Sequence, residues 1–340
     1  MKSSKLRIPE VSVIACHHTG DLVHGFTKSV TLSETQSYEV IVVTSDSELA
    51  TTGIKDCTVI YCEGGPAKKR NVGGRIAKGR FLAFFDDDVE ITVDCIEQLK
   101  ETFTLSDCGM VYGKLYNMEH RTRLDEAGGY MTFTGFIWSR AEQNIVDTGQ
   151  FEKVEPILAG KSASCMIPTR LFDAIGGFDE DFGILGEETD LSWRVWLTGF
   201  KVYFNPKSIA YHAFNTKFKP VKKYYTTTRV QFNGCRNYIT MLIKNLEARN
   251  LWRILPIHLV VWFTAGLAMV ITGKVKQGMK IWEGIWYVLR NLTLIRKKRT
   301  TVQEGRKVSD RTIWPHIYRR TSWSYYIQRY LRYIAIGLHG

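Results

Sequence analysis

Three short runs limit what this chain can become. Residues 11–16 (VSVIAC), 38–45 (YEVIVVTS) and 81–85 (FLAFF) are apolar, rich in β-branched or aromatic residues, and bounded by polar ones. The segments between them are long enough for helices, so the pattern predicts strands alternating with helices and a mainly parallel α/β sheet. Ligands of such sheets bind in the crevice beyond the carboxyl ends of the strands. The third run ends there, in Asp86, Asp87 and Asp88. Carboxylates that close raise one another's pKa unless positive charge sits among them, so the strand tip calls for a cation, a basic side chain or solvent. An Asp-x-Asp spacing at the start of a loop can place one carboxylate on a ribose hydroxyl and another on a hard cation such as Mg²⁺ or Mn²⁺. Asp86 and Asp88 have that spacing.

At 340 residues the chain accommodates one large domain with an appendage, or two domains, and 44% hydrophobic with 24% charged residues is an ordinary globular composition. The seven cysteines are scattered, odd in number and without a Cys-x-x-Cys pair, which suggests neither a disulfide framework nor a zinc site and fits a reducing compartment. The opening sixteen residues contain a five-residue apolar run, far short of a signal-peptide core, so the α/β part is expected in the cytoplasm.

Charge divides the chain. From residue 215 onward there are 24 Lys plus Arg against 4 acidic residues, a net of +20; the whole chain carries +12, which leaves −8 on residues 1–214. The basic part predicts a polyanionic partner. It also holds residues 254–273 (ILPIHLVVWFTAGLAMVITG), twenty residues without Asp, Glu, Lys or Arg, then a Trp-bearing amphipathic segment at 281–295 and RKKR at 296–299. This is interfacial membrane chemistry, and no nucleic-acid motif accompanies it. Basic residues flank the apolar run on both sides, which fits a surface-lying or re-entrant helical hairpin better than a single span; a buried core helix is the bland alternative.

Two blocks carry a family resemblance. Residues 68–91 (KKRNVGGRIAKGRFLAFFDDDVEI) resemble the stretch of inverting family-2 glycosyltransferases in which an Arg-Asn-x-Gly helix leads through Ala-x-Gly into an aspartate motif. Residues 176–212 (GGFDEDFGILGEETDLSWRVWLTGFKVYFNPKSIAYH) are similar to that family's Gly-Gly-Phe-Asp-Glu turn, acidic helix, Gly-Phe turn and closing Pro and His. The resemblance implies a GT-A type nucleotide-sugar domain over residues 1–214, with a nucleotide-binding half to about residue 90 and an acceptor half from 91 to 214, followed by a helical, membrane-associated extension at 215–340.

Read from its residues, the stretch 187–199 (EETDLSWRVWLTG) within the second block is a helix with Glu187, Glu188 and Asp190 in its first turn and Gly199 as its stop; carboxylates there are favoured as anions. The spacing of Asp190 and Arg194 predicts an intrahelical pair. The resemblance puts Glu188 where the family usually has the Asp of a Glu-Asp pair, and so implies Glu188 as general base, with Glu187 and Asp190 in reserve. It also implies Arg70 and Asn71 as donor contacts and His212 as a third metal or diphosphate ligand beside Asp86 and Asp88. The family's base-reading Asp after the second strand is replaced by Thr44, with Asp46 displaced; Asp46 and Asp87 complete the candidate donor contacts, and His17 and His18 stand near the same pocket or face solvent.

The expectation is an inverting, Mg²⁺- or Mn²⁺-assisted hexosyl- or deoxyhexosyltransferase using a nucleotide-diphosphate sugar. Its acceptor would be a lipid-linked or polysaccharide hydroxyl at the cytoplasmic face of an anionic membrane, with a homo-oligomer left open. Nucleotidyl transfer on a similar fold is the alternative enzyme class, against which the missing Gly-rich, Lys-bearing phosphate loop near residue 16 counts. A non-catalytic membrane scaffold is the third reading.

Overall fold

The computed structural model describes residues 8–17, 20–141, 145–213 and 228–336. The chain runs β1 (Val11–His17), α1 (Leu22–Thr31), β2 (Tyr38–Thr44), α2 (Ser47–Thr52), β3 (Thr58–Tyr61), α3 (Pro66–Ile76), β4 (Phe81–Asp86), β5 (Val89–Ile91) and α4 (Cys95–Glu101). Then come β6 (Cys108–Asn117), β7 (Leu124–Glu126), β8 (Gly129–Met131), β9 (Ile137–Ser139), β10 (Glu155–Pro156), β11 (Ser164–Pro168), α5 (Thr169–Ala174), α6 (Glu187–Leu197) and β12 (Lys201–His212). Helices complete the chain: α7 (Thr228–Asn245), α8 (Ala248–Ile271), α9 (Val275–Arg290), α10 (Leu292–Glu304), α11 (Asp310–Ile317) and α12 (Trp323–Ile336).

The three expected strands are β1, β2 and β4, and they pair in parallel, with β3 added at the edge of β2. Alternate residues of β1 enter two apolar layers: Val11, Val13 and Ala15 one, Ile14 the other. A strand covered on both faces has no polar side, which is why these runs read as continuously apolar. Helices α1 and α4 bring Phe26 and Ile96 to the first layer, and α5 and α6 bring Phe172 and Leu191 to the second. Beyond β4 the sheet changes character. Strand β11 inserts antiparallel between β4 and β6, and β6 then pairs in parallel with β12.

Strand β12 breaks register between Asn205 and Ile209, around Pro206, and continues so that its last residues pair with β5, His212 opposite Val89. A bulge re-aims a strand, and this one carries His212 to the aspartate turn between β4 and β5.

The helical region does not stand apart. Met241, Leu242 and Leu246 join the same apolar layer as Ile14 and Phe84 of the sheet. Helices α8 and α9 form a hairpin through Gly273, which has φ 83°. The two cross closely because Gly278 lacks a side chain: a Cβ there would lie 2.5 Å from the Gly266 carbonyl oxygen.

Candidate active site

The aspartate turn, helix α3, the N-terminus of α6 and the end of β12 meet at the carboxyl ends of the strands. Arg70, buried on α3, ties them together. Its Nη2 donates to Asp86 Oδ1 at 2.8 Å and its Nη1 to Glu187 Oε1 at 2.9 Å. One buried guanidinium thus links the end of β4 to the start of α6, two blocks more than a hundred residues apart in sequence. The positive charge asked for by the aspartate run is, for Asp86, partly this side chain.

Asp86, Asp88 and His212 each offer one ligand atom, all within 4.8 Å of one another. An octahedral Mg²⁺ with bonds of about 2.1 Å spans about 4.2 Å between opposite ligands, so a small contraction of this set surrounds a divalent cation. Two carboxylates with one imidazole are a fitting donor set for Mg²⁺ or Mn²⁺. His212 Nε2 lies 3.5 Å from Asp88 Oδ1, while Nδ1 is hydrogen-bonded to Asp125 Oδ2 at 2.8 Å, leaving Nε2 to face the cluster. Burial alone would lower the His212 pKa, but the Asp88 and Asp125 carboxylates push it up to about 10. A cation binding there takes the place of that proton.

Asp125 escapes a sequence reading, since it lies in a stretch without motif; only the fold of β7 brings it behind His212. Lys161, equally unsignalled, donates to Asp125 Oδ1 at 2.7 Å. Burial would raise the Asp125 carboxyl, yet Lys161 and His212 hold it down at about 2. Lys69 is a third such residue: its Nζ reaches the His17 carbonyl at 2.5 Å and Ser45 Oγ at 3.0 Å, joining the ends of β1 and β2.

Glu188 is half-buried beside Glu187, with Tyr112 Oη 3.4 Å from its backbone carbonyl. Burial first, and then the Glu187 charge, lift its carboxyl well above the usual glutamate range. Asp87 is buried, 3.9 Å from His17 Nε2, and His17 Nδ1 is hydrogen-bonded to Thr44 Oγ1 at 2.7 Å. His17 therefore lines the crevice; His18 lies outside the described residues.

Three expected site residues are engaged elsewhere. Asn71 donates to the Phe178 carbonyl and to Glu180 Oε1, both at 2.9 Å, and accepts from the Phe178 N–H at 2.8 Å. Its whole amide is spent docking the Gly-Gly-Phe-Asp-Glu turn onto α3, not on a donor. Asp46 caps α2, its Oδ1 accepting from the Glu48 and Leu49 N–H groups. Asp190 has no exposed surface and is held by Lys244 and Asn245 of α7 and by Arg194, the last through the expected i,i+4 pair at 2.9 Å. A carboxylate so enclosed holds α6 to α7 and has no path to an acceptor.

Helix α7 also shapes the loop before Glu187. Asn237 donates to the carbonyls of Phe182, Ile184 and Leu185. Within RKKR, Lys298 pairs with Asp179 and Asp181, and Arg299 donates to the Ile243 and Leu246 carbonyls. Half of the cluster read as membrane-facing is therefore turned to the protein; Arg296 and Lys297 stay exposed.

The chain is similar to known proteins in sequence and fold. The chain aligns with human polypeptide N-acetylgalactosaminyltransferase 14 at 30% identity over 165 residues, 45% of this chain and 29% of that protein. It aligns with the O-antigen biosynthesis protein RfbC of Myxococcus xanthus at 28% over 138 residues, 39% of this chain and 11% of the other. The alignments thus span less than a third of either relative. The crystal structure of S. aureus TarS 1–349 superposes with a TM-score of 0.50 at 15% identity, covering 87% of this chain and 88% of that one; the likeness is one of GT-A fold. The family model described as glycosyltransferase-like family 2 matches residues 30–254, about two thirds of the 340 residues. That span runs from α1 through both motif blocks into α8, and on this ground the chain belongs to the glycosyltransferase-like family 2.

Proposed function

We propose that this glycosyltransferase is inverting and divalent-metal-dependent, moving a hexosyl or deoxyhexosyl unit from a nucleotide-diphosphate sugar to a hydroxyl of a membrane-linked glycolipid or growing polysaccharide. The observation that carries the reading is the Arg70 bridge from Asp86 to Glu187, which sets a cation-holding turn beside an acidic helix start in one crevice. Asp86, Asp88 and His212 would hold Mg²⁺ or Mn²⁺, with Asp125 fixing the His212 ring. When bound, the cation supplies positive charge for the departing nucleoside diphosphate.

The chain's own residues do the rest. Lys69 and His17 shape the donor crevice at the ends of β1 and β2, with Asp87 beside them. Glu188, its proton affinity raised by burial and by the Glu187 charge, takes the proton of the acceptor hydroxyl as that oxygen attacks the anomeric carbon. The bond from that carbon to the diphosphate oxygen breaks on the opposite face, and a single displacement inverts the centre. The assignment of residues 1–214 to catalysis and 215–340 to membrane association is a division of roles, since α7 packs into the catalytic core.

The membrane reading rests on α8, a 24-residue helix long and apolar enough to cross a membrane, and on exposed Trp252, Phe263 and Trp286. In it the α8–α9 hairpin lies against the anionic cytoplasmic leaflet. Flotation with anionic vesicles that persists in high salt is the expected result, because salt screens charge and not apolar insertion; failure to float at low salt removes this part.

The catalytic reading is tested with a panel of nucleoside diphosphates by calorimetry, with Mn²⁺ and with EDTA. Asp88→Asn should abolish the metal-enhanced binding. Equal, metal-independent affinity in both proteins defeats it.

A further inference from the structure

Most of the positive charge around the aspartate turn is enclosed. The side chains of Arg70 and His212 are 4% and 6% exposed, and Lys69 is buried against the His17 carbonyl and Ser45. Lys161 differs, with 33% of its side chain exposed. Burial would lower its pKa, but the Asp125, Glu126 and Asp86 charges raise it above the ordinary lysine value, so the group stays an ammonium. A cation that solvent reaches is one that a substrate can reach.

Two sets of contacts fix where that ammonium stands. On one side Nζ donates to Asp125 Oδ1 at 2.7 Å and to the Asp125 carbonyl at 3.2 Å, while the other oxygen of the same carboxylate holds His212 Nδ1 at 2.8 Å. One carboxylate and one imidazole ring thus separate it from His212 Nε2, the atom that faces Asp88. On the other side Lys161 follows Gly160, which is packed so closely on Tyr112 that a Cβ would lie 2.9 Å from the ring. Tyr112 Oη in turn is 3.4 Å from the Glu188 carbonyl. Lys161 therefore stands between the cation site and the helix start that carries Glu188. In the proposed reaction the bond to the anomeric carbon breaks in that interval, and donors already in place stabilise developing charge without reorganising.

We infer that Lys161 is a catalytic residue of the transfer, its ammonium hydrogen-bonded to the diphosphate oxygen that leaves the anomeric carbon. The inference rests on the proposed nucleotide-diphosphate sugar donor and adds a residue that touches its leaving group. As the carbon–oxygen bond breaks, its electron pair ends on the phosphate oxygen. The ammonium keeps its proton and stabilises the new charge, while the proton of the acceptor hydroxyl goes to Glu188. Because this contact does not pass through the cation, part of the affinity for a diphosphate survives removal of the metal.

The test is calorimetry on the full chain with the diphosphates and monophosphates of uridine, guanosine and thymidine, in EDTA and in Mn²⁺. For a diphosphate that the wild type binds, Lys161→Met should weaken binding about tenfold in both media, the scale of one lost charged hydrogen bond, and weaken the monophosphate by no more than about twofold. Lys161→Arg should recover most of the diphosphate affinity. The EDTA arm separates this contact from the hold of Lys161 on Asp125, which acts through the metal. A loss seen only with Mn²⁺, an equal loss for the monophosphate, or no loss overturns the inference and leaves Lys161 as the partner of Asp125. A wild type that binds no diphosphate in EDTA overturns it too. Enhancement of wild-type binding by Mn²⁺, read from the same titrations, reports separately on the catalytic reading.

Discussion

An imidazole serves as a metal ligand only when its ring is turned the right way and its far nitrogen carries the proton. Here Asp125 does both for His212, and Lys161 holds Asp125 in turn. Outer carboxylates of this kind are worth about 10–100-fold in metal affinity. Asp125→Asn should therefore weaken Mn²⁺ binding by about that factor in calorimetry without nucleotide, while Asp46→Asn, at the α2 cap, leaves it unchanged. Glu188 carries the complementary prediction. A base must be ionised, and a raised pKa shifts the acid limb of kcat/KM to higher pH than an ordinary glutamate gives. Wild-type activity should rise with pH above the usual carboxylate range. Glu188→Gln should lower kcat by about 10²-fold or more and abolish that limb, with donor binding kept.

Among elements, the contact of α6 and the 179–182 turn with α7 and α10 decides whether the acidic helix keeps its place. Lys244 reaches Asp179 at 2.5 Å and Asp190 at 3.0 Å, and Lys298 closes on Asp179 from α10. Burial would raise the Asp179 carboxyl, but these two ammonium groups hold it well below the usual range. A depressed folded pKa contributes stability above the unfolded value, about 3.9, and loses it as pH falls below that. Denaturant titrations should show Asp179→Asn less stable by about 2 kcal/mol at pH 6, with the gap closing below about pH 4. A gap independent of pH contradicts the ion-pair account. The sequence displayed the helix, its carboxylates and the Asp190–Arg194 pair, because these are local. It did not display what Asp190 and Asn71 face, because Lys244 and Phe178 arrive from other elements. The strands that were legible, β1, β2 and β4, are buried on both faces; β3 is an edge strand, and β11 is a five-residue antiparallel insertion without a crossover helix to announce it.

Over the whole molecule, the acidic catalytic part and the basic helices share one apolar layer. The charge split read from composition therefore runs across one continuous core, and half of RKKR serves that junction. The place of the aspartate turn at the carboxyl ends of the strands was legible from topology alone, whereas the convergence of Arg70, Glu187, Asp125 and His212 on it required the pairing of β12 with β5 and the packing of α3 against α6. The central claim is that this convergence performs an inverting transfer from a nucleotide sugar. Real-time proton NMR of a nucleotide-sugar panel, with water as the stand-in acceptor and Mn²⁺ present, measures it directly through the first anomer released. The account predicts that one donor class is hydrolysed with inversion by the wild type, and that EDTA, Asp88→Asn and Glu188→Gln each suppress the release. Release with retention of configuration, or inverted release at the same rate in Asp88→Asn, would contradict it.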